Sequence, residues 1–225
     1  MVMLGLDILD IVTTIAVAAI PVIFAITVHE VAHGWVALQL GDSTAQRAGR
    51  LTLNPIRHVD PLGTLIVPLG MLLISQGAWA FGWAKPVPVA FHKLRNPRRD
   101  MILVAAAGPG ANLMMAMAWA LSLSLILPLL GDGSVGIFAA RVCMSGIIIN
   151  VLLAVFNMLP IPPLDGGRVL TGLLPTNMAA AMDKLEPFGF LIVIGLLVTD
   201  NLFPILEPIL FPLLRFFQRT VAGLA

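Results

Sequence analysis

The stretch FAITVHEVAHGW, residues 24 to 35, places His29, Glu30 and His33 inside an otherwise apolar helix, where such groups are costly unless something uses them. Positions i and i+4 of an α-helix share one face, so His29 and His33 can turn two imidazole nitrogens toward one ion, with Glu30 beside it. This is the His-Glu-x-x-His spacing in which two histidines hold zinc and a glutamate handles protons for an activated water. A hydrolytic zinc site takes three protein ligands, so the reading depends on where the chain supplies the third.

The background against which that helix stands is a membrane protein's. The 225-residue chain is 59% hydrophobic and 11% charged, with mean hydropathy +0.98; a soluble domain carries about a quarter charged residues. A net charge of +1, with the basic residues gathered in a few loops, gives no footprint for a nucleic-acid partner. The lone Cys143 excludes an internal disulfide and a cysteine-based metal site. MVMLGLDILD at the start lacks a basic region and a small-residue cleavage site, so the first apolar segment is expected to stay as a helix.

Taken in order, residues 8 to about 40 form a first span, with Pro21 expected to kink it before the histidines. Gly41-Asp42-Ser43 ends it, and RAGRLTLN, residues 47 to 54, alternates like a strand. Asp60-Pro61 opens an apolar run from Leu62 to Ile74, and the proline-rich GWAKPVPVAF, residues 82 to 91, reads as extended. Trp79 and Trp83 read as interfacial anchors. Two further spans run from Met101 to Leu130 and from Val135 to Leu159, separated by the turn at 131–134. In PIPPLDGGR, residues 160 to 168, three prolines and two glycines oppose regular helix; a short helix is expected over 169–174 and an amphipathic stretch over 177–186. Residues 188–198 and 202–217 are apolar but interrupted, and fit one span, two, or a surface helix.

For the third ligand the candidates are His58 and His92 in the connecting region and Asp132, Asp165 and Asp200 near the ends of spans. Asp165 is favoured because it follows an apolar helix directly, in a break whose backbone at membrane depth must lie beside protein or a water cavity.

Three stretches together carry a resemblance: HEVAH at 29–33, GPGAN at 108–112, and the pattern N-x-L-P-x-P-P-L-D-G-G from Asn157 to Gly167. In this order they resemble the signatures of the site-2 proteases, intramembrane zinc metalloproteases, over about residues 20 to 170. The resemblance implies His29, His33 and Asp165 as ligands of one Zn2+, and Glu30 as catalytic base. It also implies Asn157 as a contact to substrate or intermediate, and Asn112 as a residue that positions substrate. The chain has no room for a PDZ domain between its core spans and no C-terminal CBS domain, so it looks like a minimal, core-only branch.

The fold expected is an all-α polytopic membrane protein with a small membrane-associated β segment: a three-helix catalytic core, about 8–175, with accessory helices at 176–225, in one peptidase domain spanning 1–225. If Asp165 meets the histidines, the first and third long spans run parallel with the second antiparallel between them. Residues 41–99 then begin and end on one side, so 62–74 must be re-entrant, lie shallow, or return through 77–89. Arg47, Arg50, Arg57, Lys85, Lys93, Arg95, Arg98 and Arg99 crowd that loop, which places the active site toward the cytoplasm of a prokaryotic cell. The expected partners are the lipid bilayer and a single-span membrane-protein substrate, held as an added strand by an extended segment. A regulatory membrane partner is left open. The rival reading is a catalytically silent zinc-binding scaffold or transporter with the same fold. A transporter should spread acidic and histidine residues along several spans, whereas here they converge on one level, and a silent relative would have lost Glu30.

Overall fold

A computed structural model describes residues 8–74, 82–131 and 133–221, and among them the chain is helical with no strand. Helix α1 spans Ile8–Gln39 and closes on a left-handed Gly41 at φ 111°. There the Asp42 amide returns to Ala37 O and the Gly41 amide to Leu38 O, at 2.9 and 3.2 Å, satisfying carbonyls that the helix end would otherwise leave bare. One-turn α2 (Thr44–Arg47) follows.

The alternation at 47–54 does not become a strand. Arg47 ends α2, residues 48–54 are turns and bends, and the stretch meets residue 85 through the Arg50 side chain, whose Nη2 donates to Lys85 O at 2.7 Å. A period of two specifies which side chains face inward, not a ladder partner. The expected small β segment is therefore absent among the described residues.

Asp60 opens the next helical run as a cap, its carboxylate accepting from the amides of Leu62 and Gly63 at 2.9 Å each. A π-helical turn, Pro61–Ile66, leads into α3 (Val67–Ile74). The described part of this helical run covers the 14 residues from Pro61 to Ile74. The return expected through 77–89 begins at residues outside the described set, as does Trp79. Residues 82–90 are non-helical, in keeping with prolines at 86 and 88, and a short turn at Phe91–Lys93 delivers the chain to α4.

Helix α4 spans Pro97–Leu130 and α5 spans Ser134–Asn157. With α1 they are, among the described residues, the three helices long and apolar enough to cross a membrane. The three pack on one another, α4 and α5 meeting through Ala116, Ala120 and Leu123 against Cys143, Ile147 and Val151. Their directions follow from cross-helix bonds. Val104 of α4 bonds His33 and Asn112 bonds His29, so α4 descends as α1 ascends; Asn150 of α5 stands level with Asn112 while Asn157 reaches the histidine cavity, so α5 runs with α1. Many large apolar side chains stay exposed on these helices, Met114 and Leu125 among them, as lipid-facing surface requires.

The stretch expected to oppose helix through residue 168 regains it sooner. Helix α6 spans Asp165–Leu173, because all three prolines lie before it. Gly166 and Gly167 are tolerated inside it for a packing reason: a Cβ on Gly167 would lie 2.5 Å from Pro162 N, and one on Gly166 would meet the carbonyls of Met158 and Leu159. Helix α7 spans Thr176–Val198 without a break at Pro187, and α8 spans Leu202–Arg215, bent 84° from it. If that bent pair counts as a single span, the described residues hold up to four.

Candidate metal centre

The site forms where α1, α4 and the start of α6 meet. His29 and His33, one turn apart, are each 8% exposed. His33 Nδ1 lies 2.7 Å from Val104 O; a carbonyl only accepts, so Nδ1 carries the hydrogen. His29 Nδ1 likewise faces an oxygen, Asn112 Oδ1, at 2.6 Å. In the neutral form each ring therefore turns its Nε2 lone pair inward, the two nitrogens 3.0 Å apart. The Asp165 carboxylate completes the group, with one oxygen 3.3 Å from His29 Nε2 and the other 3.3 Å from His33 Nε2.

Such a set repels itself unless a proton or a metal cation lies within it. Asp165 Oδ2 is buried with no hydrogen-bond partner, and two nitrogen lone pairs face each other at contact distance. The spacing also suits a particular ion. A tetrahedron with bonds of about 2.0–2.1 Å, the range for zinc with histidine and carboxylate ligands, has edges of roughly 3.3–3.4 Å. The three observed separations are 3.0, 3.3 and 3.3 Å. Asp165 adds a carboxylate oxygen to the two imidazole nitrogens, a donor set of the kind that holds a divalent metal.

Gly108 makes the room. A Cβ there would stand 2.6 Å from His29 Nε2 and nearer still to His33 Nε2, in the space between the donors. For Gly110 nothing lies within 4 Å, so of the two glycines in GPGAN only the first touches the site.

Glu30, His29, His33, Asp165 and Asn157 line one cavity of about 520 Å³. Its far walls come from the non-helical strap, through Trp83, Pro86 and Val87, and from α7, through Phe190 and Val193. Trp83 stacks edge-on against Phe190 with ring centroids 5.5 Å apart, a cavity-wall position rather than that of a simple interfacial anchor. Glu30 Oε2 accepts from the Val87 amide at 2.6 Å, tying the strap to α1. Asn157 Nδ2 donates to Leu153 O in its own helix at 2.9 Å, which uses one of its two hydrogens.

Asn112, expected to position substrate, is fully buried behind His29 and does not line the cavity. His58 is a buried loop residue, its Nε2 donating to Thr52 O at 2.9 Å. Arg168 does line the cavity, pairing with Glu186 at 3.1 Å and lying 4.9 Å above the Phe91 ring. Two polar groups near the site were not anticipated. Asn150 bonds Asn112, and its signal in the sequence is an amide in the apolar run GIIINVLL. Asp42 is fully buried and pins the strap by accepting from the Ala90 amide at 2.6 Å and the Thr44 amide at 2.9 Å.

The profile described as Peptidase family M50 matches residues 132–199. YwhC of Bacillus subtilis, named as a candidate zinc metalloprotease, is 38% identical over 200 residues, covering 87% of this chain and 84% of its own. Rip2 of Mycolicibacterium smegmatis, named in the same way, is 32% identical over 183 residues, covering 80% of this chain and 66% of its own. No solved structure matches the chain. With YwhC matched over most of both lengths, the chain belongs to peptidase family M50, the site-2 protease family of zinc metalloproteases.

Proposed function

We propose that this membrane metalloprotease hydrolyses a peptide bond within or beside a transmembrane segment of a single-span substrate, as in regulated intramembrane proteolysis. The observation that carries the reading is the convergence of three donor atoms and Glu30 on one cavity at the level of three apolar helices. His29, His33 and Asp165 would hold one zinc per chain. Bound there, zinc would supply Lewis acidity, lowering the pKa of water and polarising the scissile carbonyl.

The chain's own residues do the rest. Glu30 takes the proton from the attacking water as the carbon–oxygen bond forms, and hands it to the amide nitrogen as the carbon–nitrogen bond breaks. Asn157 keeps one Nδ2 hydrogen after bonding Leu153 O, and that donor serves the carbonyl oxygen as it gains charge. The strap at 84–90 is the segment placed to hold an unwound substrate as an added strand. Pro86 and Pro88 leave it few amides, and that of Val87 lies against Glu30, so an incoming chain competes for a donor at the catalytic carboxylate.

The basic loop residues favour an active site toward the cytoplasm of a prokaryotic cell membrane. The test is incubation of the detergent-purified protein with a single-span peptide, with and without a chelator. Zinc-dependent cleavage is expected. Ion flux from proteoliposomes with no cleavage would instead establish the transporter reading.

A further inference from the structure

Asn150 stands apart from both the cavity and the three zinc donors, yet it is fully buried among apolar side chains of α5. An amide is costly there unless every group is bonded, and its partners dictate which way round it sits. Its Nδ2 donates to Gly146 O at 2.9 Å, a backbone carbonyl that can only accept. Its Oδ1 is thereby turned to Asn112, whose Nδ2 donates to it at 2.9 Å. The same Asn112 Nδ2 reaches a second carbonyl, Ala25 O of α1, at 3.3 Å. With both of those hydrogens engaged, Asn112 has only its oxygen for His29 Nδ1. The polarity of the chain from Gly146 O to His29 is thus set at its far end.

We propose that Asn150 is a positioning residue for the metal centre: acting through Asn112, it holds His29 in the tautomer whose Nε2 is bare. This rests on the reading of His29 as a zinc ligand. Without Asn150, Asn112 is kept the right way round only by its longer contact to Ala25 O. Turned over, it offers a hydrogen to His29 Nδ1, and the imidazole proton must move to Nε2, where zinc would bind. Partners that orient metal-bound histidines change metal affinity by about 10–100-fold when lost. Asn150 acts one bond further out, so the expected loss is about tenfold. A residue that merely glues α4 to α5 would lower stability and leave zinc affinity alone.

The experiment is zinc affinity of the full chain in detergent, by chelator competition, beside the unfolding temperature of the metal-free protein. Asn150→Leu removes the acceptor and should weaken zinc about tenfold. In an Asn112→Asp background the carboxylate accepts from His29 either way round, so adding Asn150→Leu should change affinity less than about threefold. Asn150→Asp keeps the acceptor and should stay within about threefold of wild type. The inference is overturned if Asn150→Leu binds zinc as wild type does, or if its loss is equally large beside Asn112→Asp. Should Asn150→Leu fail to fold, a tenfold loss in Asn150→Asp also overturns it. A wild-type protein that binds no zinc removes the zinc-site reading itself, and this inference with it, before any variant is compared.

Discussion

Substitution of Gly108 by alanine tests whether the space between the histidines is a metal position. The added methyl would lie 2.6 Å from His29 Nε2 and closer to His33 Nε2, whereas ordinary contact begins at 3.4 Å, a shortfall of at least 3.4 − 2.6 = 0.8 Å. The rings cannot retreat freely, since each Nδ1 is bonded, at 2.6 Å to Asn112 and 2.7 Å to Val104. A site must hold its ligands within about 0.5 Å, and an ångström of misplacement costs about 10²-fold, so zinc affinity and peptidase activity should both fall by about that factor. The fold should suffer much less. Overpacking costs about 1–3 kcal/mol, offset by about 0.5–1 kcal/mol because alanine suits a helix better than glycine. Gly110→Ala is the control: with nothing within 4 Å of the new methyl, zinc binding should not change. The assay is zinc content and affinity in detergent, read beside the unfolding temperature. If Gly108→Ala keeps zinc within threefold of wild type, the cleft beside Gly108 is not where the metal sits.

Three further predictions concern the same centre and its supports. Glu30→Gln should retain zinc but lower peptide hydrolysis by about 10²–10⁴-fold; a fully active, zinc-loaded variant would dismiss Glu30 as the base. Removal of metal by a chelator should abolish cleavage and lower the unfolding temperature, with zinc restoring both, because donors that now converge would repel; an unfolding temperature indifferent to zinc would argue against a site that binds it tightly. Asp42→Asn should destabilise the protein by about 1.5–3 kcal/mol by weakening its charge-assisted bonds to the Thr44 and Ala90 amides, and should speed proteolysis within 82–90. Burial raises the Asp42 pKa, but its bonds to Thr44 and Ala90 and the nearby Lys93 charge outweigh this and hold it below the usual carboxylate value. That stabilisation is full above the unfolded-state pKa and is lost as pH falls through the folded-state value. The acid limb of the stability profile should therefore flatten in Asp42→Asn, and an unchanged limb would contradict the assignment.

Much of the centre was legible because it rests on local periodicity. His29 and His33 share a face by helical spacing alone, and three long apolar runs announce three spans whatever packs against them. Asp165 was legible by its place after an apolar helix and by the resemblance of its surrounding pattern. What escaped was decided by partners distant in the chain. The alternation of 47–54 suggested a strand, but Leu53 stays exposed, Arg50 is the buried residue and spends its guanidinium on Lys85 O, and no neighbouring strand arrives among the described residues. That the GPGAN asparagine, expected to position substrate, bonds His29 from behind was not legible, because a residue's name does not say which face of α4 meets α1.

The amino-acid sequence by itself therefore determined a membrane protein with three apolar spans and a pair of imidazoles on one helical face. Composition and a 3.6-residue period act over a few turns and need no tertiary partner. Only the tertiary structure decided that Asp165 opens a helix against those imidazoles, and that the Val87 amide reaches Glu30. It likewise decided that two buried asparagines stand in line behind His29. Those contacts join residues 38 to 136 positions apart, and the hydrogen-bond polarity of the asparagine pair is set by backbone carbonyls whose place follows from how the helices pack.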